Sequence, residues 1–424
     1  MSKIRTSLTE HFQFLLDLVR WIPVTAIAGM LAGVASAFLL VSLDWATNVR
    51  EAHHWLILLL APVGLAVGML YKHVGSSVEA GNNLILEEIH KEVKTPSTTI
   101  PLRMTPLILA GTILTHLFGG SAGREGTAIQ TGASLADQLA RPFRLAPHDR
   151  RILLMAGISG GFASVFGTPL AGAVFGIEVL AIGSVSYEAI APCFLAAFVA
   201  DLTARSLPWP LQVHHTIYPM AAVPAIRLSG VLYSAIAGAI FGLTGMAFAR
   251  STHAIAGFMR KRVRYSPLRP FLGGLLVTAA VFGLGTTKYI GLGIPTIVQS
   301  FQTKLPVHDF AAKFLFTTVT LGTGFKGGEV TPLFFIGATL GNALSRILPL
   351  APSLLAGMGF AAVFAGAANT PIASTLMAIE LFGAEAGVYA GIACVVSYLC
   401  SGHAGIYHAQ RVGQKKHGRD EDRQ

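Results

Sequence analysis

The sequence predicts an all-α polytopic membrane protein, built as an inverted repeat with re-entrant and broken helices, on three observations. Charged residues make only 12% of 424 residues, about half the ~25% usual in soluble domains, while 53% are hydrophobic and mean hydropathy is +0.61. The apolar residues gather into runs long enough to cross a bilayer. The chain also repeats itself at a nearly constant offset. No water-facing surface accommodates this composition, which excludes an ordinary cytosolic enzyme and an intrinsically disordered chain. The three cysteines, Cys193, Cys394 and Cys400, each sit inside an apolar run and read as buried small hydrophobes rather than a disulfide framework.

In chain order, residues 1–20 mix Glu10, Asp17 and Arg20 with Phe12, Phe14, Leu15, Leu16 and Val19, a pattern that no secretory signal shows. They predict a helix lying on the inner membrane surface. Spans follow at about 21–48, 55–71, 101–118, 152–182, 188–203, 220–249, 271–287, 353–382 and 386–401, nearly all helical because backbone groups in lipid must be satisfied within their own segment. Stretches near 126–139, 310–321 and 332–348 are too short or too glycine-broken to span, and transporters place ion sites on such interrupted segments. Small residues at helix-packing spacing, Gly157, Gly160 and Gly161, then Gly238, Gly242 and Gly245, predict close helix contacts.

The repeat sets residues 153–180 over 355–382, with Thr168-Pro169 above Thr370-Pro371, Phe162 above Phe364 and Glu178 above Glu380, an offset of 202. Upstream, the segment from Gly132 matches the one from Gly337 at an offset of 205. The loop from Arg141 to Arg151 holds four arginines, whereas its counterpart 345–352 holds only Arg346. Equivalent loops therefore face opposite sides, which makes the repeat inverted. The repeats are placed at 21–215 and 216–401, with 402–424 a final segment carrying a pore tyrosine and a basic tail. Further basic clusters, Arg260 to Arg269 and Arg411 to Arg423, abut apolar stretches as cytoplasmic loops and tails do. Both termini are expected in the cytoplasm and the protein in the inner (plasma) membrane. The net charge of +10 is thereby explained without nucleic acid.

Two glycine-rich stretches, Gly119-Gly-Ser-Ala-Gly-Arg-Glu-Gly-Thr127 and Gly322-Thr-Gly-Phe-Lys-Gly-Gly-Glu-Val-Thr-Pro332, each open a short apolar helix. Uncapped amides and the positive end of a helix dipole then point inward from both repeats, and two such ends converging make an anion site. Glu125 and Glu329 stand at those helix starts, where a buried carboxylate competes with a substrate anion for the same amides; static capping is the other reading. Arg124 pairs with a loop carboxylate or anchors at an interface. Asn82 and Asn83 offer amide donors to an anion or form a solvent-exposed turn, and Tyr407 offers an uncharged phenol donor or an interfacial anchor. Glu178 and Glu380 read as caps or salt-bridge partners. Without HExxH or CxxC spacing, neither a metal site nor a cofactor is expected. Gly322-x-Gly324-x-x-Gly327 matches the dinucleotide pattern GxGxxG but lacks the strand, the βαβ unit and the later acid that the pattern requires.

Gly123-Arg-Glu-Gly126 resembles the GREGP segment of the CLC family of chloride channels and proton-coupled anion antiporters, and Gly328-Glu-Val-Thr-Pro332 resembles its GxFxP segment. The likeness extends over nearly the whole chain. It implies the CLC fold, a homodimer with one pore per subunit, Glu125 as the gating glutamate that exchanges places with the anion, an anion site from Gly126, Thr127, Val330 and Thr331, and an ion-coordinating Tyr407. No nucleotide-binding domain pair is expected after it. Thr127 replaces the family's proline, Val330 its phenylalanine, and Gly81-Asn-Asn stands where chloride-selective members read GSGIP. Glu329, Thr331 and the Asn pair are similar to the CLC-F branch of bacterial antiporters, which expel fluoride in exchange for protons. Val179 stands where many chloride/proton exchangers carry an internal proton-transfer glutamate. The expected partners are fluoride, with chloride the alternative, protons and the lipid bilayer. The rival readings are a chloride/proton exchanger or passive chloride channel on the same scaffold, and an intramembrane enzyme, for which no HExxH, GxSxG or paired Asp speaks.

Overall fold

The computed structural model describes residues 2–91 and 99–416, with side chains of the first helix from Arg20 onward. The amphipathic face read before Arg20 and the basic tail beyond Lys416 lie outside the described side chains. Among the described residues sixteen α-helices follow one another, eight in each half. The first half holds α1 (Ser2–Ala52), α2 (Leu60–His73), α3 (Asn82–His90), α4 (Met104–Leu117), α5 (Glu125–Asp137), α6 (Pro147–Phe166), α7 (Pro169–Glu178) and α8 (Ile190–Ser206). The second holds α9 (Leu228–Arg262), α10 (Leu268–Leu284), α11 (Ile294–Ser300), α12 (Asp309–Gly322), α13 (Val330–Leu344), α14 (Pro352–Ala368), α15 (Pro371–Phe382) and α16 (Gly387–Cys400).

Two apolar runs that read as single spans are each cut in two. Gly167, with φ of 72°, ends α6 in the left-handed conformation, and Asn369, with φ of 59°, ends α14 the same way. Thr-Pro follows in both cases, and the proline, which the residue before it cannot enter helically, opens the next helix at its first turn. The span read at 220–249 also shifts. Pro224 keeps the start out of helix, and α9 runs from Leu228 to a last turn of Arg260, Lys261 and Arg262, where cations complement the dipole. Arg20–Ala52, His54–His73, Tyr187–Ser206 and Leu228–Arg262 are long and apolar enough to cross a bilayer by length and composition. They turn Met30, Val34, Phe38, Leu232, Ile236 and Leu243 outward, an exposed apolar surface suited to lipid.

Helices of equal rank in the two halves meet in equal ways. A Cβ on Gly157 of α6 would stand 2.7 Å from the Gly132 carbonyl of α5, and one on Gly359 of α14 would stand 2.0 Å from the Gly337 carbonyl of α13. Only glycine allows that approach of backbones, where no hydrophobic drive holds helices together. Across the halves, Phe162 and Phe364 stack with centroids 6.1 Å apart. The Glu178 carboxylate at the end of α7 accepts the amides of Ile372 (3.0 Å) and Ala373 (2.8 Å) at the start of α15. Glu380 near the end of α15 returns the exchange, accepting Leu170 (3.0 Å) and Ala171 (2.9 Å) at the start of α7. Each carboxylate satisfies orphan donors and the positive dipole end of the opposite repeat, so both act as caps in trans. Reciprocal contacts between equivalent residues are what a pseudo-twofold between inverted repeats produces.

The last described segment returns to the first half. Arg411–Val412 forms a short strand, β2, parallel to β1 (Ala181–Ile182). The Ile406 amide donates to the Ala367 carbonyl (2.8 Å), and Gln410 Nε2 donates to Val179 (2.9 Å) and Ala368 (3.1 Å). Tyr407 is thereby held at the seam between the halves.

Candidate functional site

Both glycine-rich stretches end at the same place. Gly123 and Gly328 pair as an antiparallel bridge, the Gly123 amide donating to the Gly328 carbonyl (2.6 Å) and the Gly328 amide to the Gly123 carbonyl (2.8 Å). The bridge sets the starts of α5 and α13 against each other in the interior. A Cβ at Gly126 would meet the Gly328 Cα at 3.1 Å, Asn82 Nδ2 at 3.2 Å and Glu329 Oε2 at 3.7 Å, so the absence of a side chain lets these groups converge.

Glu125 is fully buried at the first position of α5. Its carboxylate crosses to the start of α13, where the Thr331 amide donates to Oε2 (3.0 Å) and the Thr331 hydroxyl to Oε1. The Arg124 amide donates to Oε2 at 3.1 Å, and Arg124 Nε stands 3.6 Å from Oε1. Charge-assisted hydrogen bonds of this kind contribute about 1.5–3 kcal/mol each, and the α13 dipole adds to them. A carboxylate of one repeat thus occupies the anion-receptive end of the other.

The remaining sequence-derived residues divide. Val330 contributes the first turn of α13, its side chain buried. Thr127 is buried and hydrogen-bonds Thr112 of α4 (Oγ1 to Oγ1, 2.6 Å), while the donors to the Glu125 carboxylate are Arg124 and Thr331. Glu329, Asn82, Asn83 and Tyr407 border one polar cavity of about 130 Å³. There the Tyr407 hydroxyl and Asn82 Oδ1 are buried without hydrogen-bond partners, leaving polar groups open to an occupant. Asn83 Oδ1 accepts the Ala409 amide (3.0 Å), so this residue ties down the segment carrying Tyr407. Arg124 pairs with its neighbour Glu125 rather than with a loop carboxylate.

Two residues of the cavity escape a reading of the sequence. Gln130 lies four positions beyond Gly126, on the same face of α5, a spacing that would have pointed to it. Lys326 stands inside the second glycine-rich stretch, where the surrounding motif hides it. Neither the dinucleotide strand nor a cluster of metal-ligating side chains occurs among the described residues.

Two openings flank the site. One, of about 460 Å³, includes Arg124, Arg50 and Lys288; the other, of about 620 Å³, includes Glu329, Lys326, Arg260 and Arg269. The first reaches Thr287 and Lys288 just past the end of α10, and the second reaches Arg269 and Pro270 at its start. Seventeen residues of helix therefore separate these two parts of their linings, about 25 Å. In the register of that bridge Arg124 and Glu329 are equivalents: one repeat sends a cation to the first opening and the other a carboxylate to the second.

A membrane-embedded inverted repeat with broken helices converging on a buried carboxylate between two openings is the build of an ion transport protein. Residues 63–402 match the family described as voltage gated chloride channel, and the chain belongs to that family, CLC, whose members are transporters and channels rather than enzymes. It is 55% identical over 425 residues to a protein of Pseudomonas syringae pv. tomato named "Chloride/fluoride channel protein", covering 99% of this chain and 92% of that one. A solved structure described as a CLC-type fluoride/proton antiporter superposes with a TM-score of 0.89 at 34% identity, covering 94% of this chain and 99% of the other. A slow cyanobacterial Cl-/H+ antiporter superposes with a TM-score of 0.76 at 20% identity, covering 90% and 94%, which shows the shared fold.

Proposed function

We propose that the protein exports fluoride across the bacterial inner membrane in exchange for protons, as a homodimer with both termini in the cytoplasm. The observation that carries this reading is the Glu125 carboxylate seated on the amide and hydroxyl of Thr331. An anion that displaces it takes over those donors. Protonation removes the charge that holds the side chain there, so the carboxyl leaves with its proton and the place opens to fluoride. Alternation of the two occupants couples their fluxes in opposite directions.

Fluoride is small, strongly hydrated and a strong acceptor, so a site that strips its water must replace it with close donors. The Thr331 hydroxyl, the Tyr407 phenol and the Asn82 amide, with backbone amides at Gly126, Val330 and Thr331, are such groups. Glu329 borders the opening on the Arg260 side and handles fluoride or its proton there. Arg260 and Arg269 at that opening support a cytoplasmic side through the positive-inside bias. The Pseudomonas syringae relative and the CLC-type fluoride/proton antiporter, both named for fluoride, support the same ion.

The test is efflux from reconstituted liposomes, followed with fluoride- and chloride-selective electrodes with and without a pH gradient. Fluoride efflux that drives proton uptake, lost in Glu125→Gln, is the expected result; coupled fluoride flux retained by that variant would refute the assignment. The name of the 55% identical relative also favours chloride as a second reading, for which chloride efflux exceeding fluoride efflux would decide.

A further inference from the structure

Lys326 is a cation that the exchange above leaves unused. It borders both the 130 Å³ cavity with Tyr407 and the opening with Arg260 and Arg269, so it stands at the passage between them. Its ammonium lies 4.0 Å from the centroid of the Tyr71 ring. Among the described residues it makes no hydrogen bond and no carboxylate approaches within 4.0 Å; Glu79, an exposed residue, lines the same cavity and the same opening. A half-buried ammonium held by a ring face alone has three donors to offer. Across the cavity the Tyr407 hydroxyl is a donor without an acceptor.

We propose that Lys326 is a specificity-determining residue at the inner mouth: it captures the anion from the Arg260-lined opening and passes it into the cavity of Tyr407 and Asn82. The inference rests on the anion-exchange reading and adds to it a fixed charge on the path. A compact, strongly hydrated ammonium interacts best with a small, hard anion, so Lys326 favours fluoride over larger halides. Glu79 opposes it, its negative charge in the same opening lowering the pull of the ammonium on an incoming anion.

Three variants in liposomes test this, with initial fluoride and chloride efflux measured against internal ion concentration. K326M is expected to raise the apparent KM for fluoride about tenfold, with a smaller change in maximal rate, since it removes attraction at partial burial. K326R keeps the charge on a broader, more weakly hydrated group, so it should restore much of the KM yet narrow the fluoride-to-chloride ratio. E79Q removes the competing carboxylate and should lower the KM two- to threefold, on the order of a screened surface charge. A wild-type KM and ion ratio in K326M, or a KM raised by E79Q, would overturn the proposal. If K326M fails to assemble, K326R and E79Q decide it by the ion ratio and the sign of the KM change. Absence of fluoride and chloride flux in the unmodified protein would instead strike the transport reading itself.

Discussion

The starts of α5 and α13 are built alike and used differently. Each follows a glycine-rich stretch, and each meets the other through the Gly123–Gly328 bridge. The first repeat, however, sends a carboxylate, Glu125, onto the second, whereas the second supplies the receiving hydroxyl and amide of Thr331 and turns Glu329 toward the opposite opening. Under the proposed exchange, two helix starts built alike and one extra carboxylate make a site with its own displaceable occupant.

Erasing the difference between the two starts should have the largest effect. E125Q leaves α13 with an uncharged amide, and proton movement accompanying anion efflux should fall to background; a pH-indicator assay on liposomes reads it, and undiminished proton uptake would show that the asymmetry has no bearing on coupling. E329Q removes the other carboxylate, so proton movement should fall about tenfold while Glu125 still gates the anion. Equal losses in the two variants would mean that the carboxylates act as one unit.

T331V sharpens the comparison by weakening the receiving side alone. Losing a hydrogen bond to a charged group, about 1.5–3 kcal/mol, loosens Glu125 and fluoride alike, so in fluoride efflux measured across a pH series the apparent KM should rise and the pH dependence flatten. T127V, at the buried hydroxyl turned to Thr112, should leave that dependence unchanged and cost about 1 kcal/mol of stability. The caps in trans supply the smallest effects. E178A should destabilise by about 2 kcal/mol and E380A by about 1 kcal/mol in thermal unfolding, since Glu178 is the more buried of the two. A loss of coupling in either variant, with stability unchanged, would move these residues from the scaffold to the ion path.

Much of the scaffold was readable in one dimension because it depends on local chemistry. Apolar run length marks a span, and the glycine-rich stretches that reach Glu125 and Glu329 mark the starts of two short interior helices. The breaks after Gly167 and Asn369 were less readable, because an apolar run continues across them and only a left-handed residue followed by proline separates the halves. Glu178 and Glu380 were placed at late-helix positions, but that each caps the other repeat required the helices to be docked.

Composition, the repeat and the two glycine-rich stretches determined by themselves that the chain is a helical membrane protein with paired glycine-led helix starts, since hydropathy and helix-end chemistry are properties of contiguous residues. Only the tertiary structure decided which donors hold Glu125, that Thr127 turns to Thr112, that Asn83 fastens the segment of Tyr407, and that Gln130 and Lys326 border the cavity. Those outcomes depend on groups separated by tens to hundreds of residues, whose meeting is set by how the repeats pack and not by anything written beside them in the chain.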